Sequence, residues 1–355
     1  MERVAIIGPG GAGKSTLARQ LGAITGVPVI HLDREHWKPG WVETPAAEWE
    51  ERVRELAAAE RWIIDGNYGG TLDVRLDRAD TVVFLDFGRF RCLRGAISRR
   101  LRYRNRSRPD MADGCAERLD GAFLKWIWTY RKARRPGVLR LLGEAVVRGK
   151  RVVVLRDDGA AARFLAHCAA PGGRPEPGIR MLVVGAPGAG KTTFAREAGD
   201  ALRMTPIDLD AHLWSAGTWE PSVEARHRRA VELTQGATWV LDGEYRPVLQ
   251  TILENTTVAV QFAPHPWTAL ARRVRRGDSV PDSVAARSVR ARVRLWAWIL
   301  TYPVFHGPAV SRELATVTGR TCVIRITSAR ESREFVAGLA LGAARGTTPE
   351  QAAKP

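Results

Sequence analysis

Long hydrophobic runs are missing from this chain of 355 residues. No stretch approaches the roughly 20 consecutive apolar residues that a membrane helix requires, so a membrane partner is not expected. Cysteine is scarce as well. Cys92, Cys115, Cys168 and Cys322 lie far apart, with no CxxC pair and no histidine at ligand spacing. That excludes a disulfide scaffold and a zinc site, and it fits reduced, partly buried thiols. The first residues carry no basic flank and no cleavage site, and Val4-Ala5-Ile6-Ile7 runs straight into a glycine loop. This reads as a first strand and not as a signal peptide, and a cytoplasmic protein is expected. No Asn-Lys-x-Asp stretch for guanine is present, which argues against a signalling GTPase.

Lysine is also rare. The net charge of +17 comes almost wholly from arginine, alongside abundant alanine and glycine. Such usage reflects GC-rich codons as much as a selected nucleic-acid surface, so the distribution of charge says more than its sum. Arg89 to Arg108 holds nine arginines and no acid, and Arg131 to Arg135 adds a second basic cluster.

What is present in abundance is repetition. Gly8, Lys14, Asp33, Trp37, Trp62, Asp65, Gly66 and Tyr68 recur as Gly185, Lys191, Asp210, Trp214, Trp239, Asp242, Gly243 and Tyr245, always 177 residues later (185 − 8). Trp126 and Trp128 match Trp296 and Trp298 at 170 (296 − 126), which implies a net loss of seven residues in the second copy. The 12 tryptophans divide evenly between the halves, so the chain is a tandem duplication. A Pro/Gly-rich stretch over 169–178 reads as a linker between domains at 1–168 and 179–342, and 343–355 as a frayed tail.

Within each copy, strands alternate with helices. In the first, strands are expected at Val4–Ile7, Val27–Leu32, Trp62–Ile64, Thr81–Leu85 and Arg151–Leu155, with Leu17, Leu21 and Ile24 on one helix face. The fold class is therefore α/β: two tandem P-loop NTPase domains, each a parallel sheet with helices on both faces. Ligands bind beyond the carboxyl ends of such strands, and Asp33, Asp65 and Asp86 each sit just past one.

Gly8-Pro9-Gly10-Gly11-Ala12-Gly13-Lys14-Ser15 fits GxxxxGK[ST], as does Gly185-Ala186-Pro187-Gly188-Ala189-Gly190-Lys191-Thr192. The glycines (Gly8, Gly10, Gly11 and Gly13; Gly185, Gly188 and Gly190) let backbone N–H groups converge on phosphate oxygens. Lys14 and Lys191 neutralise phosphate charge, Thr16 and Thr193 continue the cradle, and Ser15 and Thr192 offer hydroxyls to Mg²⁺. Asp65, and Asp242 in the second copy, are expected to hold Mg²⁺ through water. Asp33 is placed to orient or deprotonate an acceptor hydroxyl or phosphate. ATP and Mg²⁺ are the expected cofactors.

Phe90, Leu93, Ile97 and Leu101 form a helical apolar stripe that leads to Arg104, Arg106 and Arg108, and the chain returns through a Trp/Tyr-rich helix to Arg131, Arg134 and Arg135. A lid closing Arg99, Arg104, Arg108, Arg131 and Arg135 onto transferring phosphates is one reading. A solvated basic face and a nucleic-acid surface are the others. Trp37, Trp41 and Tyr68 flank the acids and either stack a substrate ring or cover the core. His31 and His36 are assigned nothing.

On the P-loop, His31-Leu32-Asp33 with Trp37-Lys38-Pro39-Gly40-Trp41, Trp62–Gly70, Phe84-Leu85-Asp86-Phe87, Arg106–Met111 and Lys125–Trp128, the first copy resembles the bacterial DNA topology modulation protein family of P-loop proteins, related to adenylate kinases. The resemblance implies an adenylate-kinase-like fold and ATP binding, with Asp65-Gly66 and Arg99-Arg100 similar to adenylate kinase pairs. The second copy departs from it. Gln261-Phe262-Ala263-Pro264 replaces the Phe-Leu-Asp-Phe stretch, Glu244 replaces Asn67, Arg-Pro-Asp-Met is missing, and only Arg287, Arg290, Arg292 and Arg294 could stand in for the lid. The expected function is phosphoryl transfer from ATP to a small acceptor in the first domain, with nucleotide held in a regulatory or structural role in the second. The alternative is an ATP-controlled nucleic-acid-binding modulator. Docking of the halves as an intramolecular pseudo-dimer stays open.

Overall fold

The computed structural model describes residues 1–104, 106, 108–169, 178–215, 218–219, 222–276 and 289–346. Most of the linker expected at 169–178, the end of the expected tail, Arg287 and the Arg290 side chain lie outside the described residues. The chain divides into two compact units, Met1–Val138 with Lys150–Arg174 and Leu139–Gly149 with Pro175–Pro355.

The strands of the first unit are β1 (Arg3–Ile7), β2 (Val29–His31), β3 (Trp37–Lys38), β4 (Val42–Glu43), β5 (Trp62–Asp65), β6 (Thr81–Leu85) and β7 (Arg151–Leu155). Five of them form a parallel sheet in the order β2-β5-β1-β6-β7, while β3 and β4 pair as a separate antiparallel hairpin. The central strands are short, β-branched and buried on both faces, as a sheet covered by helices on each side requires. Ile6 pairs with Asp65 in register, so Asp65 ends the strand beside the one that feeds the first P-loop.

The second unit repeats the plan with β8 (Arg180–Gly185), β9 (Ile207–Asp208), a hairpin of β10 (Trp214–Ser215) and β11 (Thr218–Trp219), β12 (Trp239–Asp242), β13 (Val258–Phe262) and β14 (Cys322–Ile326). Its sheet order, β9-β12-β8-β13-β14, is that of the first unit strand for strand, and every pairing is parallel. The α/β class with two five-strand parallel sheets flanked by helices is therefore as expected. Among the described residues no helix is long and apolar enough to cross a membrane.

Each unit has its own core. In the first, Val4, Ile6, Val83, Leu85 and Val153 of the sheet meet Leu17, Leu21, Ile127 and Phe164 of the covering helices. In the second, Leu182, Val184, Leu241 and Ala259 meet Val248, Ile252, Val310 and Leu314. Burial of such side chains, about 1.5–3 kcal/mol each, is the main term holding each sheet to its helices.

Three local expectations change. On the helix Lys14–Thr25, Leu17 and Leu21 are buried but Ile24 is exposed. The helix Arg89–Arg102 buries Cys92 and Ala96, while Phe90, Ile97 and Leu101 of the apolar stripe are exposed. The cause is a close approach: a Cβ on Gly11 would lie 2.0 Å from the Cys92 carbonyl oxygen, so only small side chains fit that face. The third concerns the late tryptophans. Ile127 and Tyr130 are the buried pair in the first unit and Ile299 and Tyr302 in the second, an interval of 172 (302 − 130). Trp126 packs edge-on against Tyr130 as Trp298 does against Tyr302. Trp126 therefore corresponds to Trp298, and the deletion by that point is five residues and not seven.

Candidate functional site

The first P-loop turns between β1 and the helix Lys14–Thr25. Gly8, Gly11 and Gly13 all take positive φ, at 149°, 74° and 92°, a region costly for residues with a Cβ. Gly11 has a second constraint in the Cys92 carbonyl noted above, and its copy Gly188 has the same two, with φ 73° and the Ala269 carbonyl 2.3 Å from a notional Cβ. The Gly8 N–H donates to Asn67 Oδ1 at 3.0 Å, which ties the start of the loop to the end of β5.

Lys14 Nζ donates to the Gly8 and Pro9 carbonyls at 2.9 and 3.1 Å. Burial pulls its ammonium below the usual lysine range, while Asp33 and Asp65 work to keep it charged. Ser15 Oγ donates to Asp65 Oδ2 at 2.7 Å, and His31 Nδ1 lies 2.5 Å from Asp65 Oδ1. Asp65 is buried at the sheet edge of the loop, and both its oxygens are engaged. Beyond it, Tyr68 takes φ 27°, unusual for a bulky residue. Its hydroxyl donates to Asp33 Oδ1 at 2.8 Å. Burial and the Asp33 charge push the Tyr68 phenol up, so it remains a donor. Buried Arg75 donates to the Gly66 and Asn67 carbonyls at 2.9 and 2.7 Å and holds this turn in place.

These groups open into a cleft of about 1110 Å³. Of the expected site residues, Gly10, Gly11, Gly13, Lys14, Ser15, Thr16, Asp33, Asp65, Arg99 and Arg108 line it. Gly8 does not line it. Arg108, 7% exposed, faces Asp33 and Asp110 at 3.4 Å each and Glu117 at 2.9 Å, and Arg99 reaches the other oxygen of Glu117 at 2.7 Å. Burial pushes Asp110 up, but Arg108, the Ser15 hydroxyl and His31 outweigh it and hold its carboxyl below the usual carboxylate range.

The other expected arginines are placed elsewhere. Arg104 and Arg131 are exposed and do not line the cleft. Arg135 is 1% exposed and forms a two-pronged pair with Asp86, Nε to Oδ1 and Nη2 to Oδ2, both at 2.7 Å. That geometry is a buried clamp between the end of β6 and the start of the helix Arg135–Val147. It also accounts for Asp86 on the protein's own terms.

In the second unit the cradle is retained and its surroundings differ. Gly185, Gly188 and Gly190 keep positive φ, and Lys191 Nζ donates to the Ala186 carbonyl at 3.3 Å. Glu244 stands where Asn67 stands and makes the same bond, accepting from the Gly185 N–H at 3.0 Å. It also accepts from the Tyr302 hydroxyl. The position of His31 is Asp208, paired in register with Asp242, so a carboxylate replaces the imidazole beside the buried aspartate. Among the described residues, Asp242 Oδ1 has no hydrogen-bond partner. Burial pushes the Asp242 and Asp210 carboxyls up, and their acidic neighbours add to the shift against the pull of Lys191. The cleft here is about 540 Å³ and is lined by Gly188, Gly190, Thr193, Arg272, Arg275 and the turn after β14, but not by Lys191, Thr192 or Asp242.

Could these groups hold Mg²⁺? Ser15 Oγ and Asp65 Oδ2 are adjacent hard oxygen donors at the phosphate end of the first loop, the donor type this ion prefers. Among the described residues no cluster of three or more His, Cys, Asp or Glu could hold a metal. The donor set therefore suits an ion that arrives with phosphate oxygens and water, and not a protein-only cage. In the second unit the orphaned Asp242 Oδ1 is a donor of the same type.

Sequence reasoning missed His31, Arg75, Asn67, Asp110 and Glu117. The comparison of the copies carried a signal for three of them, where His31 becomes Asp208, Asn67 becomes Glu244 and Arg75 becomes Ile252, changes that mark a site altered while its cradle was kept. No protein-family model matches the chain, and no curated protein does.

Proposed function

We propose that the first unit is an ATP-dependent phosphotransferase that moves the γ-phosphoryl group to a small acceptor, a nucleotide, nucleoside or similar metabolite, in the cytoplasm. The observation that carries this reading is the convergence of Lys14, Ser15, Asp65 and Asp33 in one cleft, with Ser15 and His31 bonded to Asp65. A loop that only binds a phosphate needs the cradle; transfer also needs a group for the acceptor and cations around the reacting phosphoryl. The likeness of the first copy to the topology modulation proteins and adenylate kinases points the same way.

In this reading the loop N–H groups and Lys14 bind the β- and γ-phosphates. Ser15 and Asp65 hold Mg²⁺, which supplies charge neutralisation at the phosphates. Arg99 and Arg108 flank the transferring group, and Asp33 orients the acceptor. The second unit binds nucleotide without turning it over. The carboxylate of Asp208 in place of an imidazole beside Asp242 supports that assignment.

A second reading has its own support. The helices Arg89–Arg102 and Gly121–Ala133 carry no acidic residue, and Arg89 lies 4.2 Å over the exposed Trp128 ring and 5.3 Å from that of Phe90. A basic face with open aromatic rings suits single-stranded nucleic acid. A screen of nucleotides, nucleosides and small metabolites for ATP-dependent phosphorylation by the full chain separates the two. Turnover of an acceptor supports the enzyme. No turnover, together with nucleic-acid binding that weakens steeply between about 50 and 200 mM salt, supports the binding protein.

A further inference from the structure

The acceptor end of the first cleft is built differently from its phosphate end, and the difference speaks to what the acceptor carries. Asp33 sits on the short helix Leu32–His36 with its side chain 42% exposed to the cleft. The Tyr68 hydroxyl fixes one carboxylate oxygen and Arg108 faces the other. A carboxylate offers about four lone-pair positions, so the group is oriented while lone pairs still face the cleft.

Arg108 is the arginine next to Asp33, and its charge is already matched by three carboxylates, Asp33, Asp110 and Glu117. Arg99 is matched by Glu117 in turn. Glu43, paired across the hairpin from Trp37, adds another acid to the lining. The Arg118 guanidinium carbon lies over the Trp41 ring, 5.1 Å from its centroid. Arg19, Arg91, Arg94 and Arg102 also line the cleft, but they stand on the two helices that abut the P-loop. Around Asp33 the lining carboxylates Asp33, Glu43, Asp110 and Glu117 outnumber the arginines Arg99, Arg108 and Arg118.

We infer that the acceptor presents a hydroxyl and no phosphate: an uncharged alcohol carrying a flat apolar ring, a nucleoside in class and not a nucleoside monophosphate. This rests on the phosphotransferase reading above. A phosphate at Asp33 meets like charge beside an arginine already matched by carboxylates, whereas a hydroxyl meets an acceptor atom. Trp37 and Trp41, with ring centroids 5.2 Å apart, and Tyr68 supply the wall for a ring. In the step, the acceptor oxygen forms a bond to the γ-phosphorus and the bond from that phosphorus to the β–γ bridging oxygen breaks. The hydroxyl proton goes to Asp33, and ADP leaves with the electron pair of the broken bond.

The test uses the full chain with ATP and Mg²⁺ against a panel of ribo- and deoxynucleosides and their 5′-monophosphates. Phosphoryl transfer and calorimetric binding, the latter with a non-hydrolysable ATP analogue, are both read. At least one nucleoside should be turned over with kcat/KM on the order of 100-fold above its monophosphate. Asp33→Asn should lower kcat by about 10²–10⁴ with little change in KM. If transfer fails in the assay, tighter binding of a nucleoside than of its monophosphate still supports the inference. A monophosphate used or bound as well as its nucleoside overturns it and leaves the phosphotransferase reading standing. Neither compound bound overturns it too. Absence of ATP turnover with every acceptor is the separate result that counts against the phosphotransferase reading.

Discussion

His31 Nδ1 stands 2.5 Å from Asp65 Oδ1 in the first unit, and the corresponding pair in the second is Asp208 beside Asp242. One buried aspartate thus has a hydrogen-bonding imidazole beside it where its copy has a like charge. The glycines of the two P-loops take nearly the same φ values, and this substitution behind them is where the two sites differ.

Replacing His31 is expected to act on both stability and turnover. His31→Ala leaves a buried Asp65 oxygen without its partner, a loss of about 1–3 kcal/mol, read by denaturant unfolding. His31→Asp installs the second unit's arrangement in the first, and the Mg²⁺ dependence of ATP turnover should move to higher concentration. An unchanged Mg²⁺ profile in His31→Asp would show that the imidazole does not position Asp65.

The second unit should be most stable where its carboxylates are protonated. Burial raises the folded Asp242 and Asp210 above the ordinary aspartate value of 3.8. Such groups favour folding fully below that value, and the benefit is lost as pH rises through the folded pKa. Asp242→Asn therefore raises the Tm of the full chain near pH 8, by a few degrees for about 1 kcal/mol gained. The gain should shrink as the pH falls toward about 4. A gain independent of pH would assign the effect to packing.

Arg135 should matter to the fold. Removing one partner from a buried, two-pronged ion pair strands the other charge, at a cost of about 3–5 kcal/mol. Arg135→Ala is expected to lower Tm strongly, and Arg135→Lys to recover only part, because one ammonium cannot match both oxygens of Asp86. If Arg135→Ala kept its Tm and lost turnover, the side chain would be acting in the cleft.

The parts of this structure legible in the sequence were those encoded by local spacing or repetition. The P-loop glycines, the strand–helix alternation and the place of Asp65 at a strand end follow from motif and period. Residues whose roles depend on a distant partner were not legible. Arg135 ends a basic cluster that reads as part of an arginine lid, and its partner Asp86 is 49 residues away. His31 precedes a helix and bonds a residue 34 positions on. The match of Trp126 to Trp296 was a match of identity, and only the burial of Tyr130 and Tyr302 shows that Trp298 is the true counterpart.

The measurement that bears most directly on the central claim compares Lys14→Ala and Lys191→Ala in the full chain, reading ATP-dependent acceptor phosphorylation alongside nucleotide binding at each site. With chemistry in the first unit alone, Lys14→Ala loses turnover by at least about 100-fold, the scale of one charge-stabilising group. Lys191→Ala weakens nucleotide binding and keeps turnover within a few fold. Equal loss of turnover in the two variants would contradict the account.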